Sequence, residues 1–172
     1  TMTPRKNEWL KTFIHTWMRI KNRLYRGEAG LQLSINSTCE LERRLIFGGN
    51  ACTLEEIARI MDDVIPNGRK ITLNFAVADW EIEPNKLLKY FDPDYYICKL
   101  TPMHRTRSAE ECGIKTAGNY TQPEPYKDYE QVLLKAGYEV LVFIASREED
   151  EGRITCGNAI LSGTEPFGVG EI

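Results

Sequence analysis

A histidine and a cysteine are the side chains whose surroundings in the sequence best suit chemistry. His104 follows the end of a predicted strand, and ligands of parallel α/β folds bind at the carboxyl ends of strands. Cys156 is followed by Gly157, which leaves room for a close approach to the thiol. Acidic residues at 148–151 disfavour a free thiolate, so a buried, unreactive thiol is the alternative for Cys156. We therefore treat His104 and Cys156 as candidate site residues.

The other cysteines and motifs do not define a second site. The five cysteines stand at irregular spacing, and the sequence has no zinc-type C-x-x-C pair, phosphate-binding glycine loop or G-x-S-x-G turn. An odd number of cysteines favours free thiols, which are typical of a reducing compartment. We therefore predict a cytoplasmic protein with Cys98 in the core and no functional role for three other thiols: Cys39, Cys52 and Cys112.

Two strands with one polar face each are predicted to position the site. Residues 31–36 alternate strictly between apolar and polar side chains, and residues 70–77 repeat the pattern. Strands of a parallel sheet that helices cover on both faces are normally apolar throughout. Small hydrogen-bonding side chains on one face, such as Ser34, Asn36 and Asn74, instead suit the lumen of a barrel that holds a polar ligand.

Helices and strands alternate about four times, which implies right-handed βαβ units and a parallel sheet. Thr53 and Glu56 form a capping box at the start of one helix. Four or five strands cannot close an eight-stranded barrel. The predicted fold class is therefore α/β, a parallel-stranded partial (β/α) barrel over residues 1–161 with an irregular tail at 162–172. The helices are predicted at 7–24, 53–65, 84–91 and 126–136, and the later strands at 95–100, 138–145 and 153–161.

Composition and charge narrow the class of protein further. The 172 residues are 42% hydrophobic and 27% charged, which excludes disordered and collagen-like chains. No apolar run approaches the ~20 residues that a bilayer-spanning helix needs. The net charge is −3, yet the first 26 residues hold seven basic residues and one acidic residue. This basic helix suits docking to nucleic acid or another partner, with a solvated helix face as the alternative.

Three short segments occur in the order and spacing of one enzyme family. They are the strand at 31–37, the segment 99–104, and a helix end at 136–137 that is followed by a strand and Cys156-Gly157-Asn158. Together they resemble the C-terminal half of the radical S-adenosylmethionine (radical SAM) enzymes that methylate the C2 or C8 carbon of adenine in ribosomal and transfer RNA. The resemblance covers nearly the whole chain in outline.

The resemblance implies roles for four residues. Ser34 and Asn36 match a strand end that contacts S-adenosylmethionine, and His104 matches a further cofactor contact. Cys156 matches the cysteine that is methylated and then delivers the carbon to the base. The chain departs from the family at three positions: Asn36 replaces a histidine, His104 replaces an asparagine, and Asn158 replaces a glutamine.

The resemblance also implies cofactors and partners. These are S-adenosylmethionine, a 4Fe–4S cluster held by a C-x-x-x-C-x-x-C loop, a reductant such as flavodoxin or ferredoxin, and RNA as substrate, with no membrane. The cluster-binding loop is absent from the sequence, and in the family it precedes everything that this chain covers. We therefore expect a C-terminal fragment that is inactive alone, with the cluster ligands outside the chain.

Two other functions stay open at this point. The first is a radical SAM enzyme that acts on a small molecule or a protein, in which Cys156 is only a core residue. The second is a non-catalytic α/β domain that binds a ligand or a partner. Such a domain explains the missing cluster loop, but it explains the half-polar strands less well.

Overall fold

The computed structural model describes residues 1–102, Gly113 and residues 126–143. His104, Cys156 and the predicted segments 153–161 and 162–172 lie outside the described residues. In the described part the chain forms four strands and five helices. In chain order they are α1 (Leu10–Arg23), β1 (Gln32–Ser34), α2 (Glu40–Ile46), α3 (Leu54–Met61), β2 (Ile71–Val77), α4 (Pro84–Leu88), β3 (Tyr96–Pro102), α5 (Lys127–Lys135) and β4 (Glu139–Val142).

The four strands form one sheet in the order β1-β2-β3-β4, and every pair is parallel. One register row runs across the whole sheet, in which Ser34 pairs with Asn74, Asn74 with Lys99, and Lys99 with Leu141. Helices connect successive strands, as parallel pairing requires. The predicted α/β class with a parallel sheet is therefore confirmed, and the architecture is consistent with part of a (β/α) barrel.

Helices cover one face of this sheet. In β2 the side chains alternate between buried and half-buried positions, so that Phe75 is buried and its neighbours are not. Core residues from the helices, such as Ile57 of α3 and Leu133 of α5, belong to the same buried cluster as the buried strand side chains.

The opposite side of the sheet, which we call the open face, is half-buried or exposed. It consists of alternate residues of the four strands and the residue that follows β4: Gln32, Ser34, Thr72, Asn74, Ala76, Ile97, Lys99, Thr101, Glu139, Leu141 and Phe143.

Several predicted elements have other ends in the structure: the helix predicted at 53–65 ends at Met61, and the helix predicted at 84–91 ends at Leu88. Two further differences, at α1 and β1, have local reasons. Helix α1 begins at Leu10, because the predicted cap Asn7 forms a turn in which its Oδ1 accepts the N–H of Trp9 at 3.0 Å. Strand β1 ends at Ser34, and two residues later Asn36 has a left-handed backbone with a φ of 62°. The predicted capping box of α3 is confirmed, since Thr53 and Glu56 each accept the other's backbone N–H.

Helix α2 is an element that the sequence pattern did not predict. Its one buried residue is Arg43, whereas Leu41 and Leu45 are exposed. Arg43 donates to the carbonyl of Cys52 at 2.8 Å and to the carbonyl of Ile35. Because the helix is fixed by a buried guanidinium rather than by an apolar stripe, hydrophobic periodicity could not reveal it.

The basic N-terminal segment is less free than its charge suggests. Lys21 is fully buried, and its Nζ donates to the carbonyl of Asn67 at 2.5 Å. Burial lowers the pKa of Lys21. The chain passes this point closely, because a Cβ on Gly27 would lie 2.3 Å from the carbonyl oxygen of Asn67. Arg5 is also paired, at 2.7 Å from Glu56. Two of the seven basic residues are thus part of the fold.

Candidate functional site

The end of β1, the middle of β2 and the end of β3 bring polar side chains together on the open face. Ser34 pairs in register with Asn74. Thr101, near the end of β3, donates from its Oγ1 to the Oδ1 of Asn74 at 3.3 Å. This bond leaves the amide nitrogen of Asn74 and the hydroxyl of Ser34 as donors facing the open side. We call Ser34, Asn36, Asn74 and Thr101 the polar edge, and these groups suit a ligand with hydroxyl, amine or carboxyl groups.

Asn36 is placed at this edge by its own side chain. Its Oδ1 accepts the backbone N–H of Ala76 at 3.0 Å, and the side chain is 9% exposed. The backbone N–H of Asn36 donates in turn to the carbonyl of Asn74 at 3.2 Å. Asparagine tolerates the left-handed conformation found here better than most residues. The predicted cofactor residue therefore ties the end of β1 to β2.

Two loops at the same edge are joined by a network of hydrogen bonds. Thr38, after β1, donates to Glu81 at 3.0 Å and accepts the N–H of Glu83 at 2.8 Å. Glu42 accepts the hydroxyl of Ser37 at 2.5 Å and the N–H of Glu81 at 2.9 Å. Ser37 and Thr38 are buried. This inter-loop network, formed by the five residues named here, fixes the loop after β1 against the loop after β2.

The carboxylates of this network serve structure rather than acid–base chemistry. Lys86 lies 2.7 Å from Glu81 and 3.1 Å from Glu83. The hydrogen bond from Lys86 lowers the pKa of Glu81, and the same pair raises the pKa of Lys86. Glu81 therefore stays ionised at neutral pH and is a poor proton donor.

Two of the described thiols, Cys52 and Cys98, are not activated. Cys98 is fully buried, and burial raises its pKa to about 12. Burial also raises the pKa of Cys52, while Cys39 is partly exposed. A thiol with a raised pKa is a poor nucleophile at neutral pH. The prediction that Cys98 belongs to the core is confirmed.

A groove lies along α1, on the surface of the helix. It has a volume of about 500 Å³ and is lined by Lys11, Thr12, His15, Thr16 and Arg19. The Nε2 of His15 lies 2.8 Å from the carbonyl of Ile60, so this nitrogen carries the hydrogen. The groove retains part of the predicted basic surface, but α1 belongs to the helix layer that covers the opposite side of the sheet.

The described residues do not fit an iron–sulfur cluster. Within residues 1–102 and 126–143 no group of three His, Cys, Asp or Glu side chains could hold a metal ion. In the same ranges no helix is both long and apolar enough to cross a membrane.

Two residues of the open face were missed as site residues at the level of sequence. Lys99 and Thr101 lie in the segment 99–104 that carries the family resemblance, yet neither was assigned a role. The alternation of polar and apolar residues along β3 could have revealed them. In the structure Lys99 and Thr101 are half-buried, whereas Cys98 and Leu100 are buried. Of the predicted site residues, Ser34 and Asn36 lie together at the polar edge, whereas His104 and Cys156 fall outside the described part.

The fold and the polar edge define an α/β protein with a parallel sheet and one ligand-accessible face. No family model and no curated protein matches the chain. A search of solved structures finds a match to a radical SAM methyltransferase from Sphaerobacter thermophilus, with 18% sequence identity and a TM-score of 0.42. The matched region covers 73% of this chain and 37% of that protein. The match thus spans well under half the length of this structural neighbour.

Proposed function

We propose that this chain is part of a radical SAM enzyme and that its open face binds S-adenosylmethionine at the polar edge. The observation that carries the proposal is the placement of Ser34, Asn36 and Thr101 at or near the carboxyl ends of β1 and β3, beside Asn74 in the middle of β2. In parallel α/β folds this edge is where ligands bind. The family resemblance of the sequence supports the identity of the ligand.

The chemistry of the open face suits this cofactor. Its ribose hydroxyls and amino acid group need hydrogen-bond partners, which Ser34, Asn74 and the free amide nitrogen of Asn36 provide. Its adenine needs apolar contact, and Leu141 and Phe143 lie exposed on the same face. In the resembled family S-adenosylmethionine supplies the methyl group and is cleaved by reduction. Because the described residues do not fit the cluster, its ligands are proposed to lie elsewhere in an intact enzyme.

The proposed substrate and the proposed roles of single residues rest on the resemblance of the sequence to the RNA adenine methyltransferase family. We propose an RNA adenine methyltransferase in the intact enzyme, with Cys156 as the methyl carrier, His104 as a further cofactor contact and no activity in this chain alone. If a Cys156→Ala version of the intact enzyme, reconstituted without oxygen, kept full methyl transfer, the carrier role would be wrong. An RNA substrate predicts binding that weakens steeply as salt rises, because phosphate contacts release counterions. Salt-independent binding, or none, would contradict the RNA substrate.

Nuclear magnetic resonance of the whole 172-residue chain tests the cofactor proposal. The ¹⁵N-labelled chain is titrated with S-adenosylmethionine, and separately with S-adenosylhomocysteine, which resists reductive cleavage. We expect saturable shifts at the amides of Ser34, Asn36, Asn74 and Thr101. Shifts confined to the α1 groove, or none at millimolar ligand, would contradict the proposal.

Two variants on the open face sharpen this test. Ser34→Ala removes a hydroxyl from the polar edge, and we expect it to weaken cofactor binding severalfold, by about 1 kcal/mol for one neutral hydrogen bond. Thr72→Val is the matched control, because Thr72 lies on the same face, pairs with Gln32 rather than Ser34, and is outside the proposed binding residues. Equal loss of affinity in both variants would show a general change in the sheet rather than a contact.

A further inference from the structure

Lys99 is a cation near the middle of the open face. It pairs in register with Asn74 on one side and with Leu141 on the other. Its side chain is half-buried on the face that carries Ser34 and Asn74. Neighbouring parallel strands are about 4.8 Å apart, so Ser34, Asn74 and Lys99 are neighbours in one register row, and each carries a side chain that can donate a hydrogen bond.

No carboxylate neutralises Lys99 within the described part of the chain. The acidic residue on the same face of β4 is Glu139, which pairs in register with Ile97 rather than with Lys99. Its carboxylate lies 2.6 Å from the Nζ of Lys70. The contact found for Lys99 is with an aromatic ring, since its Nζ lies 4.8 Å from the centroid of Phe143. A ring at this distance attracts the ammonium but does not neutralise its charge.

The position of Phe143 is itself fixed by the sheet. Its backbone N–H donates to the carbonyl of Leu100 at 2.9 Å, which continues the β3–β4 ladder beyond the end of β4. Lys99 is therefore held next to the polar edge with three N–H donors and no acidic partner among the described residues.

We propose that Lys99, together with Asn74 and Ser34, forms an oxyanion subsite that binds a phosphate or carboxylate group of the ligand on the open face. A hydroxyl, an amide and a lysine ammonium on three neighbouring strands together match the several acceptor oxygens of such a group. The proposed subsite rests on the proposed function in one respect, namely that a ligand binds to the open face. It adds a specificity that the sequence resemblance does not assign, namely a preference for an anionic ligand over a neutral one.

Two probes distinguish the sources of the oxyanion. The ¹⁵N-labelled chain is titrated with inorganic phosphate and with acetate at constant ionic strength, and the amides of Ser34, Asn74 and Lys99 are followed. We expect saturable shifts at these three residues with at least one probe, and the stronger probe identifies the group. Linear shifts of equal size at Lys99 and at Lys89 would overturn the subsite, because they indicate general ion screening.

Charge variants provide the decisive comparison. We expect Lys99→Gln to weaken binding of the stronger probe at least about tenfold, since a charge-assisted hydrogen bond is lost, and Lys99→Arg to retain most of it. Lys89→Gln is the matched control, because the Nζ of Lys89 also lies over an aromatic ring, 5.1 Å from the centroid of Tyr90, but Lys89 is outside the open face. Equal affinity in the unmodified chain and in Lys99→Gln would overturn the proposal.

A native-chain comparison keeps the subsite testable if Lys99→Gln does not fold. Adenosine 5′-monophosphate and adenosine differ only in the phosphate, and tighter binding of the nucleotide with shifts at Lys99 supports the subsite. Equal binding of both, together with no response to acetate, would overturn it. Saturable phosphate or acetate shifts at Lys99 without any response to S-adenosylmethionine would support the subsite and contradict the proposed cofactor. A response to S-adenosylmethionine without saturable phosphate or acetate shifts at Lys99 would support the proposed cofactor and contradict the subsite.

Discussion

Asn36 shows how much one side chain decides at the polar edge. Its left-handed backbone ends β1, and its Oδ1 holds the N–H of Ala76, which lies 40 residues away in the sequence. The same residue is a predicted cofactor contact. A residue that shapes the edge through its oxygen still has its amide nitrogen to offer to a ligand.

Replacing Asn36 tests this structural contribution. We expect Asn36→Ala to lower the free energy of unfolding by about 2 kcal/mol, because it leaves a backbone N–H unpaired and places alanine in the left-handed region. Urea unfolding measures the effect. Asn36→Asp keeps an acceptor oxygen and should cost less than half as much. Equal losses in the two variants would show that the bond to Ala76 contributes little.

At the scale of elements, capping and loop contacts determine where helices and strands begin and end. The box of Thr53 and Glu56 is local in sequence, whereas the inter-loop network joins residues 43 positions apart. Glu56 combines both roles, because it also pairs with Arg5. Local caps stabilise a helix, but the long-range bonds position the loops beside the open face.

The capping box of α3 gives an element-scale prediction. We expect Thr53→Ala to lower the free energy of unfolding by about 1 kcal/mol, because the N–H of Glu56 loses its partner at the start of the helix. Thr53→Ser keeps the hydroxyl and should be nearly neutral. Thermal and urea unfolding of both variants measure the difference. A stability of Thr53→Ala equal to that of Thr53→Ser would contradict the assigned cap.

The inter-loop network gives a second prediction at the scale of elements. Thr38→Val removes a hydroxyl that serves both Glu81 and the N–H of Glu83. We expect a loss of roughly 1–2 kcal/mol in stability, because the backbone N–H of Glu83 loses its partner at the buried Thr38, whereas the exposed carboxylate of Glu81 keeps its contact with Lys86. The control is Thr72→Val, which should change stability by no more than about 0.5 kcal/mol. If the two variants unfold at the same urea concentration, the network does not stabilise the loops.

At the scale of the molecule, one buried cluster lies between the sheet and the helices, and several titratable groups belong to it. Burial raises the pKa of both Tyr96 and Cys98 to about 12, and it also raises the pKa of Tyr138. The hydroxyl of Tyr138 donates to the carbonyl of Phe91 at 2.5 Å. These groups are neutral in the folded chain, and they ionise more readily once it unfolds.

The direction of the pH effect follows from this difference. Since the pKa of each acid is higher in the folded state, the unfolded chain releases protons first as pH rises. Stability is therefore full below the ordinary pKa values of 9.0 for Cys98 and 10.0 for Tyr96, and it falls as pH rises toward about 12. Urea midpoints measured from neutral to alkaline pH should decrease steadily above those values.

Tyr96→Phe isolates one of these groups. We expect stability near that of the unmodified chain at neutral pH and a smaller loss at alkaline pH, because the variant cannot ionise at this position. Tyr95→Phe is the control, since Tyr95 is 39% exposed and is the neighbouring tyrosine. An identical alkaline loss in Tyr96→Phe and the unmodified chain would contradict the contribution of Tyr96.

The amino-acid sequence by itself determined the features that depend on near neighbours and on periodicity. These include the capping box at Thr53, the alternation of β2, the left-handed Gly137 after α5, and the parallel order of the strands. Each is encoded within a few residues or in a repeating pattern, so sequence reasoning reaches it. The polar side of the strands was visible in the same way.

Only the tertiary structure decided which of these polar groups act together. The row of Ser34, Asn74 and Lys99, the burial of Lys21 against Asn67, and helix α2 around Arg43 all depend on contacts between distant segments. The sequence alone does not show whether a lysine is solvated, buried or placed on a sheet face. Its environment is set by the register and packing of strands that are separated along the chain, and a single local segment does not specify these.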